Sequence, residues 1–225
     1  MIAMENVAHS YGGGALLTDV SLRLQAGSFH FLTGPSGSGK STFLKLCYAE
    51  LLPSAGRIQI FDQDVRSFSR DDVARVRRRI GVVHQDCQFL DHLSLAENVA
   101  LPLQVSGREG GAEGSDVQDL LAWVGLSGQK AALPPSLSGG ERQRAALARA
   151  IIMSPDVILA DEPTGNLDWD MSLRLLTLLV ELNKMGKTIL IATHDMNLIR
   201  TAKAQISARV LRIRGRQLQL AGSDL

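Results

Sequence analysis

Residues 34–41 read GPSGSGKS, set between the apolar run FHFLT at 29–33 and the helical pattern TFLKLCYAELL at 42–52. A strand that turns through three glycines straight into a helix commits this part of the chain to an α/β unit. The spacing fits G-x-x-x-x-G-K-[ST], whose strand-before and helix-after context is met here. In such a turn Gly34, Pro35, Ser36, Gly37, Ser38 and Gly39 can wrap a phosphate and aim backbone N–H groups at it, with the helix N-terminus adding its positive dipole end. Lys40 would then reach the β and γ phosphates of a nucleotide, and Ser41 would hold Mg²⁺. A plain strand-to-helix turn would not call for lysine and serine in this register, and the glycines would then carry an entropic cost without return.

The rest of the chain repeats the alternation. Short apolar runs at 29–33, 56–61 (GRIQIF), 79–84 (RIGVVH), 156–161 (DVILAD) and 187–193 (KTILIAT) alternate with segments of helical spacing such as ERQRAALARAIIM and MSLRLLTLLVELNKMG. This order predicts a mainly parallel sheet covered by helices. The ends MIAMENVAHSY, TDVSLRLQAG and RVLRIRGRQLQL lack crossover helices and predict a small antiparallel subdomain at one edge. The stretch 105–116, VSGREGGAEGSD, reads as an exposed connection within the domain.

Acidic residues then gather where a parallel sheet collects ligands, at the carboxyl ends of its strands. Asp161 and Glu162 end the apolar run VILA, and His194 follows KTILIAT. A lone acid there could be a helix cap. Two in a row, in a chain with a phosphate loop, point to Asp161 holding Mg²⁺ through its shell, Glu162 polarising the attacking water and His194 sensing the γ-phosphate.

Composition limits the partners. Lysine plus arginine number 24 against 23 aspartates and glutamates, so no global charge argues for nucleic acid. The two cysteines, Cys47 and Cys87, stand apart from any CxxC or Cys/His cluster and suit a reducing compartment. No run of about 18 apolar residues is found, so any membrane span would come from another chain. Two basic runs, Arg75 to Arg79 and Arg209 to Arg216, are read either as solvated faces or as contacts to anionic lipid.

A second glycine turn, Leu137-Ser138-Gly139-Gly140-Glu141, opens the helix ERQRAALARA. Ser138 and Glu141 have the spacing of a capping box. Capping does not require two consecutive glycines, which weaken a helix, whereas bare N–H groups at a helix start bind anions. LSGGERQRAALARA, together with the phosphate loop and VILADEPTGNLD, resembles the nucleotide-binding subunit of an ABC ATPase, and the resemblance spans nearly the whole chain.

The resemblance implies a single domain over 1–225 with a helical signature subdomain inserted at about 86–155. It implies that Tyr11 stacks on adenine, that Gln85 is the Q-loop residue and a metal contact, that Thr42 completes the phosphate loop, and that Asp168 belongs to the D-loop. It further implies that Ser138 to Glu141 close over the ATP of a second subunit, giving a homodimer with ATP at its interface. Ser138 follows Ser41 by 97 positions, too few for the coiled-coil insertion of chromosome-maintenance ATPases. The stretches RRRIGVVHQDCQFLDHLSLAENVALPLQVSGR and ALPPSLSGGERQRAALARA most resemble the bacterial cell-division group. That group implies an FtsX-like polytopic partner, work on the cytoplasmic face of the inner membrane, and regulation of cell-wall hydrolases. Lipoprotein-releasing and macrolide-efflux ATPases share DEPTGNLD and remain the alternative. His84 and Cys87 flank the Q-loop where many relatives carry aromatics.

Overall fold

The computed structural model describes residues 1–108, 111–165 and 167–220. Residues 109 and 110 of the glycine-rich connection, Asn166 of the D-loop stretch and the end AGSDL lie outside the described residues.

Two sheets form the frame. The larger has six strands in the order β10-β9-β3-β8-β7-β6. Its central members β3 (Phe29–Thr33), β7 (Val157–Asp161) and β8 (Thr188–Ala192) are apolar almost throughout, as strands covered on both faces must be. β6 (Ile80–Val83) pairs with β7 in parallel, and β9 (Ala208–Arg214) runs parallel to β3 before a tight turn sends β10 (Gln217–Leu220) back antiparallel. The smaller sheet is antiparallel in the order β2-β1-β4-β5, from β1 (Ile2–Ser10), β2 (Ala15–Leu24), β4 (Ala55–Ile60) and β5 (Gln63–Asp64).

Two sequence expectations are corrected here. GRIQIF joins the antiparallel sheet as β4, because its alternate residues Ile58 and Ile60 are buried while the residues between face outward. RVLRIRGRQLQL joins the main sheet rather than the small one, since Ala208 to Arg212 of β9 pair with Phe29 to Thr33 of β3.

Helix α1 (Lys40–Cys47) follows β3 and packs with the antiparallel sheet over one face of the main sheet. Helices α6 (Trp169–Lys184) and α7 (Met196–Lys203) cover the other face. Helix α2 (Arg70–Arg78) leads into β6. Between β6 and β7 the chain forms α3 (Leu95–Val105), α4 (Ser115–Trp123) and α5 (Gly139–Ile151), which bury a core of their own around Leu95, Val99, Leu121 and Ala145. Asn98, fully buried, fixes the loop into this unit. Its amide nitrogen donates to the carbonyls of Leu90, Leu93 and Ser94, each at 3.0 Å, and its oxygen accepts from the Leu90 N–H at 2.9 Å.

Candidate active site

β3 delivers the glycine turn. The strand is bonded on both sides, to β8 and β9, so its end is fixed in space. Gly34 leaves it at φ 156°, and a Cβ there would stand 2.6 Å from Ser38 Oγ and 3.0 Å from the Ile213 carbonyl. Gly39, at φ 100°, opens α1 without any side-chain cap. The first N–H groups of α1 therefore keep no side-chain acceptor, and a helix start in that condition attracts an anion.

A cavity of about 600 Å³ lies over this turn. Gly34, Pro35, Ser36, Gly37, Gly39, Lys40, Ser41 and Thr42 form one wall, and Gln85, Asp161, Glu162 and His194 form the other. The second group comes from the carboxyl ends of β6, β7 and β8, where parallel sheets expose their ligands. Lys40 Nζ donates to the Gly34 carbonyl at 3.0 Å and lies 3.5 Å from Glu162 Oε1. The other oxygen of Glu162 is 3.0 Å from His194 Nδ1. Glu162 thus bridges the phosphate loop and the end of β8, although 122 positions separate it from Lys40. It does so from φ 44°, a conformation side chains other than glycine rarely adopt and that functional sites often store. Leu16 and Gly165 also line the cavity. No motif marks Leu16, and only its place at the start of β2, beside Gly39, brings it there.

Two expected members of this group stand outside the lining. Ser38 turns inward, and its buried hydroxyl has no partner among the described residues. Tyr11 is an exposed rim residue whose hydroxyl lies 3.2 Å from Thr42 Oγ1.

The second glycine turn sits apart. Ser138 caps α5 by a complete capping box: its Oγ accepts from the Glu141 N–H at 3.3 Å, and Glu141 Oε2 accepts from the Ser138 N–H at 2.8 Å. Those bonds from Ser138, backbone first, hold the Glu141 carboxyl below the usual carboxylate range. Ser138, Gly140 and Glu141 do not line the 600 Å³ cavity. Gly139 borders a smaller hollow of about 200 Å³ that it shares with Gln85 and Glu162. Gly140 packs on α6, where a Cβ would come 2.8 Å from Met171 Cε. Asp168 caps α6, its Oδ1 accepting from the Met171 N–H at 2.8 Å.

The two residues that flank Gln85 differ in burial: Cys87 is buried and His84 is exposed. His84 lies edge-on to Tyr48 at 6.4 Å. The Cys87 thiol meets the Gln143 side chain, and burial pushes it up to about 11, which leaves little thiolate for reaction. The first basic run is largely committed too. Arg75 pairs with Asp72, Arg77 donates to the carbonyls of Tyr48 and Ala49 after α1, and Arg79 pairs with Asp156 while stacking on Phe61.

The ABC transporter family model matches residues 17–165. The cell division ATP-binding protein FtsE of Bacillus subtilis is 41% identical over 209 residues, covering 92% of each chain. FtsE of Escherichia coli K12 is 44% identical over 200 residues, covering 88% of this chain and 90% of that one. Among solved structures, a dimeric bacterial ABC transporter cassette matches at 33% identity with a TM-score of 0.86. A dimeric post-hydrolysis state of an ATP-binding cassette, bound to ADP and Pi, matches at 32% and 0.85, and each comparison covers 97% of both chains. The turn over α1, the paired acids after β7 and these relatives lead to one conclusion: the chain belongs to the ABC transporter family and is an ATP-binding ABC ATPase.

Proposed function

We propose that the chain pairs with a second copy around two ATP molecules and drives an FtsX-like polytopic membrane protein, so that ATP hydrolysis regulates cell-wall hydrolysis during division. One observation carries the pairing. The signature turn at Ser138 to Glu141 presents a helix start yet contributes nothing to the chain's own phosphate cavity, so its role is fulfilled over the nucleotide of a partner copy. The dimeric state of the similar cassettes supports this. The FtsE relatives support the division role.

In this reading Lys40 and the N–H groups of the phosphate loop hold the β and γ phosphates, and Tyr11 stacks on the base. The hydroxyl of Ser41, the carboxylate of Asp161 and the amide oxygen of Gln85 are hard oxygen donors suited to Mg²⁺, which would neutralise phosphate charge. With so few protein donors, such an ion would keep water and phosphate oxygens as its remaining ligands. Glu162 orients and polarises the attacking water, while His194, bonded to Glu162, fixes its carboxylate. The N–H groups of Gly139 and Gly140 and the side chain of Asp168 complete the partner's site. A single subunit therefore binds ATP and hydrolyses it slowly; closure of the dimer supplies the missing donors.

In this reading the chain works peripherally, on the cytoplasmic face of the inner membrane, held there by its polytopic partner; no described helix is long and apolar enough to cross a membrane. A groove of about 440 Å³ lined by Arg78, His84, Val105, Arg149 and Met153 opens beside the Q-loop strand and would receive the partner's cytoplasmic segment. Purifying the chain from its native membranes and identifying the polytopic protein that accompanies it tests the assignment. A partner whose loss blocks septation is expected. One whose loss leaves septation intact and stops lipoprotein release would move the chain to the export alternative.

A further inference from the structure

We propose that His9 is a positioning residue for the base of the nucleotide, holding the Tyr11 ring at a fixed stance over the phosphate-loop helix. The proposal rests on the reading of Tyr11 as the base-stacking residue. His9 ends the inward face of β1 and is only 7% exposed. Its Nδ1 lies 3.0 Å from the Leu52 carbonyl, which can only accept, so Nδ1 carries the proton and the bond ties β1 to the segment after α1. Its other nitrogen, Nε2, is buried without a hydrogen-bond partner. The remaining neighbour of note is Tyr11: the two ring centroids are 4.8 Å apart at 83°, an edge-to-face pair.

Tyr11 itself is 62% exposed and follows only one residue later than β1, ahead of the glycines at 12, 13 and 14. An aromatic in that position has little packing to choose its direction. Two contacts choose it: the His9 ring at its face or edge, and Thr42 Oγ1 at its hydroxyl. Both lead to α1, His9 through Leu52 beyond its end and Thr42 within its first turn. The platform for the base is thereby referenced to the same helix whose N-terminus faces the phosphates. Binding then requires less ordering of Tyr11, which is where pre-organisation adds affinity.

The test compares His9→Ala, His9→Phe, His9→Gln and Tyr11→Ala by calorimetric titration with Mg-ATP and with Mg-tripolyphosphate, which lacks the base. Tyr11→Ala is expected to weaken ATP about tenfold, the scale of one aromatic stack on a base, and His9→Ala about fivefold. Tripolyphosphate affinity should stay within twofold in every variant. His9→Phe, which keeps the ring, should bind ATP within twofold of the parent, whereas His9→Gln, which keeps only a donor for Leu52, should resemble His9→Ala. If Tyr11→Ala weakens ATP and His9→Ala does not, the role of His9 is overturned while base stacking stands. If Tyr11→Ala changes nothing, the stacking reading itself fails. An equal loss for ATP and tripolyphosphate in His9→Ala would make His9 a support of the phosphate loop and overturn the proposal.

Discussion

The chain carries two glycine turns that each open a helix, and they are built in opposite ways. At Gly39 the helix start has no side-chain cap, its glycines sit at φ 74° and 100°, and all of 34–42 except Ser38 line one cavity. At Ser138 the start is fully capped by its own side chains, and the turn packs against α6 through Gly140. The first turn uses glycines at positive φ and leaves its helix start without a side-chain acceptor. The second is stable by itself and offers only the N–H groups of Gly139 and Gly140, the two that its capping box leaves over. Under the proposed pairing, the first turn would bind nucleotide within one subunit and the second would bind and release the nucleotide of another copy, and the two starts differ in the way those tasks require.

The largest effect expected is common to both turns. Glu162→Gln keeps the shape of the side chain and removes its basicity, so steady-state ATP hydrolysis should fall by about two to four powers of ten. Turnover within tenfold of the parent would deny Glu162 its role.

Acid should next act on the strand that supports the first turn. His30 lies in β3 with 1% exposure, and burial, aided by the charge of Arg209, pushes its imidazole down from 6.5 to about 4. The native protein keeps His30 neutral while the unfolded chain protonates it below about 6.5. Its contribution is therefore complete above that pH and is lost as pH falls towards 4, by on the order of 3 kcal/mol. Denaturant titration of the parent and of His30→Phe across pH 7 to 4.5 should show the smaller slope in the variant; parallel curves would contradict this.

A matched pair of alanines separates the turns themselves. Gly34→Ala forces a Cβ against backbone and Ser38, and monomer affinity for ATP should drop tenfold or more. Gly140→Ala meets only the flexible end of Met171, so monomer affinity should stay within about twofold while ATP-dependent association weakens. Isothermal titration and sedimentation measure the two. The smallest change is Ser138→Ala, which removes the cap and should lower stability by about 1 kcal/mol in chemical denaturation.

The fate of the strands explains what could be read in advance. VILA and ILIA are apolar without a break, and that signature of a doubly covered strand placed them in the main sheet. GRIQIF shares their isoleucines, but Ile58 and Ile60 alternate with Arg57 and Gln59, the pattern of a sheet with one wet face; the alternation was there to separate it. RVLRIR alternates in residue type except at Val210 and Leu211, which are buried in the cores on opposite faces, and it lies beside β3 in the main sheet. Pattern records burial, and burial does not name the neighbour. The site was legible where function demands a local motif, as at Gly34 to Ser41. The bridge from Lys40 through Glu162 to His194 depends on three strand ends meeting, and Leu16 on a sheet whose pairing no local signal fixes.

The central claim is that the second turn belongs to another copy's site. It is tested most directly by sedimentation of Glu162→Gln, alone and combined with Ser138→Arg, with Mg-ATP or Mg-ADP. Glu162→Gln should be dimeric with ATP and monomeric with ADP. The double variant should remain monomeric with ATP while binding it within about threefold of Glu162→Gln. A Glu162→Gln protein that stays monomeric in ATP, or a Ser138→Arg change that abolishes nucleotide binding by the monomer, would contradict the account.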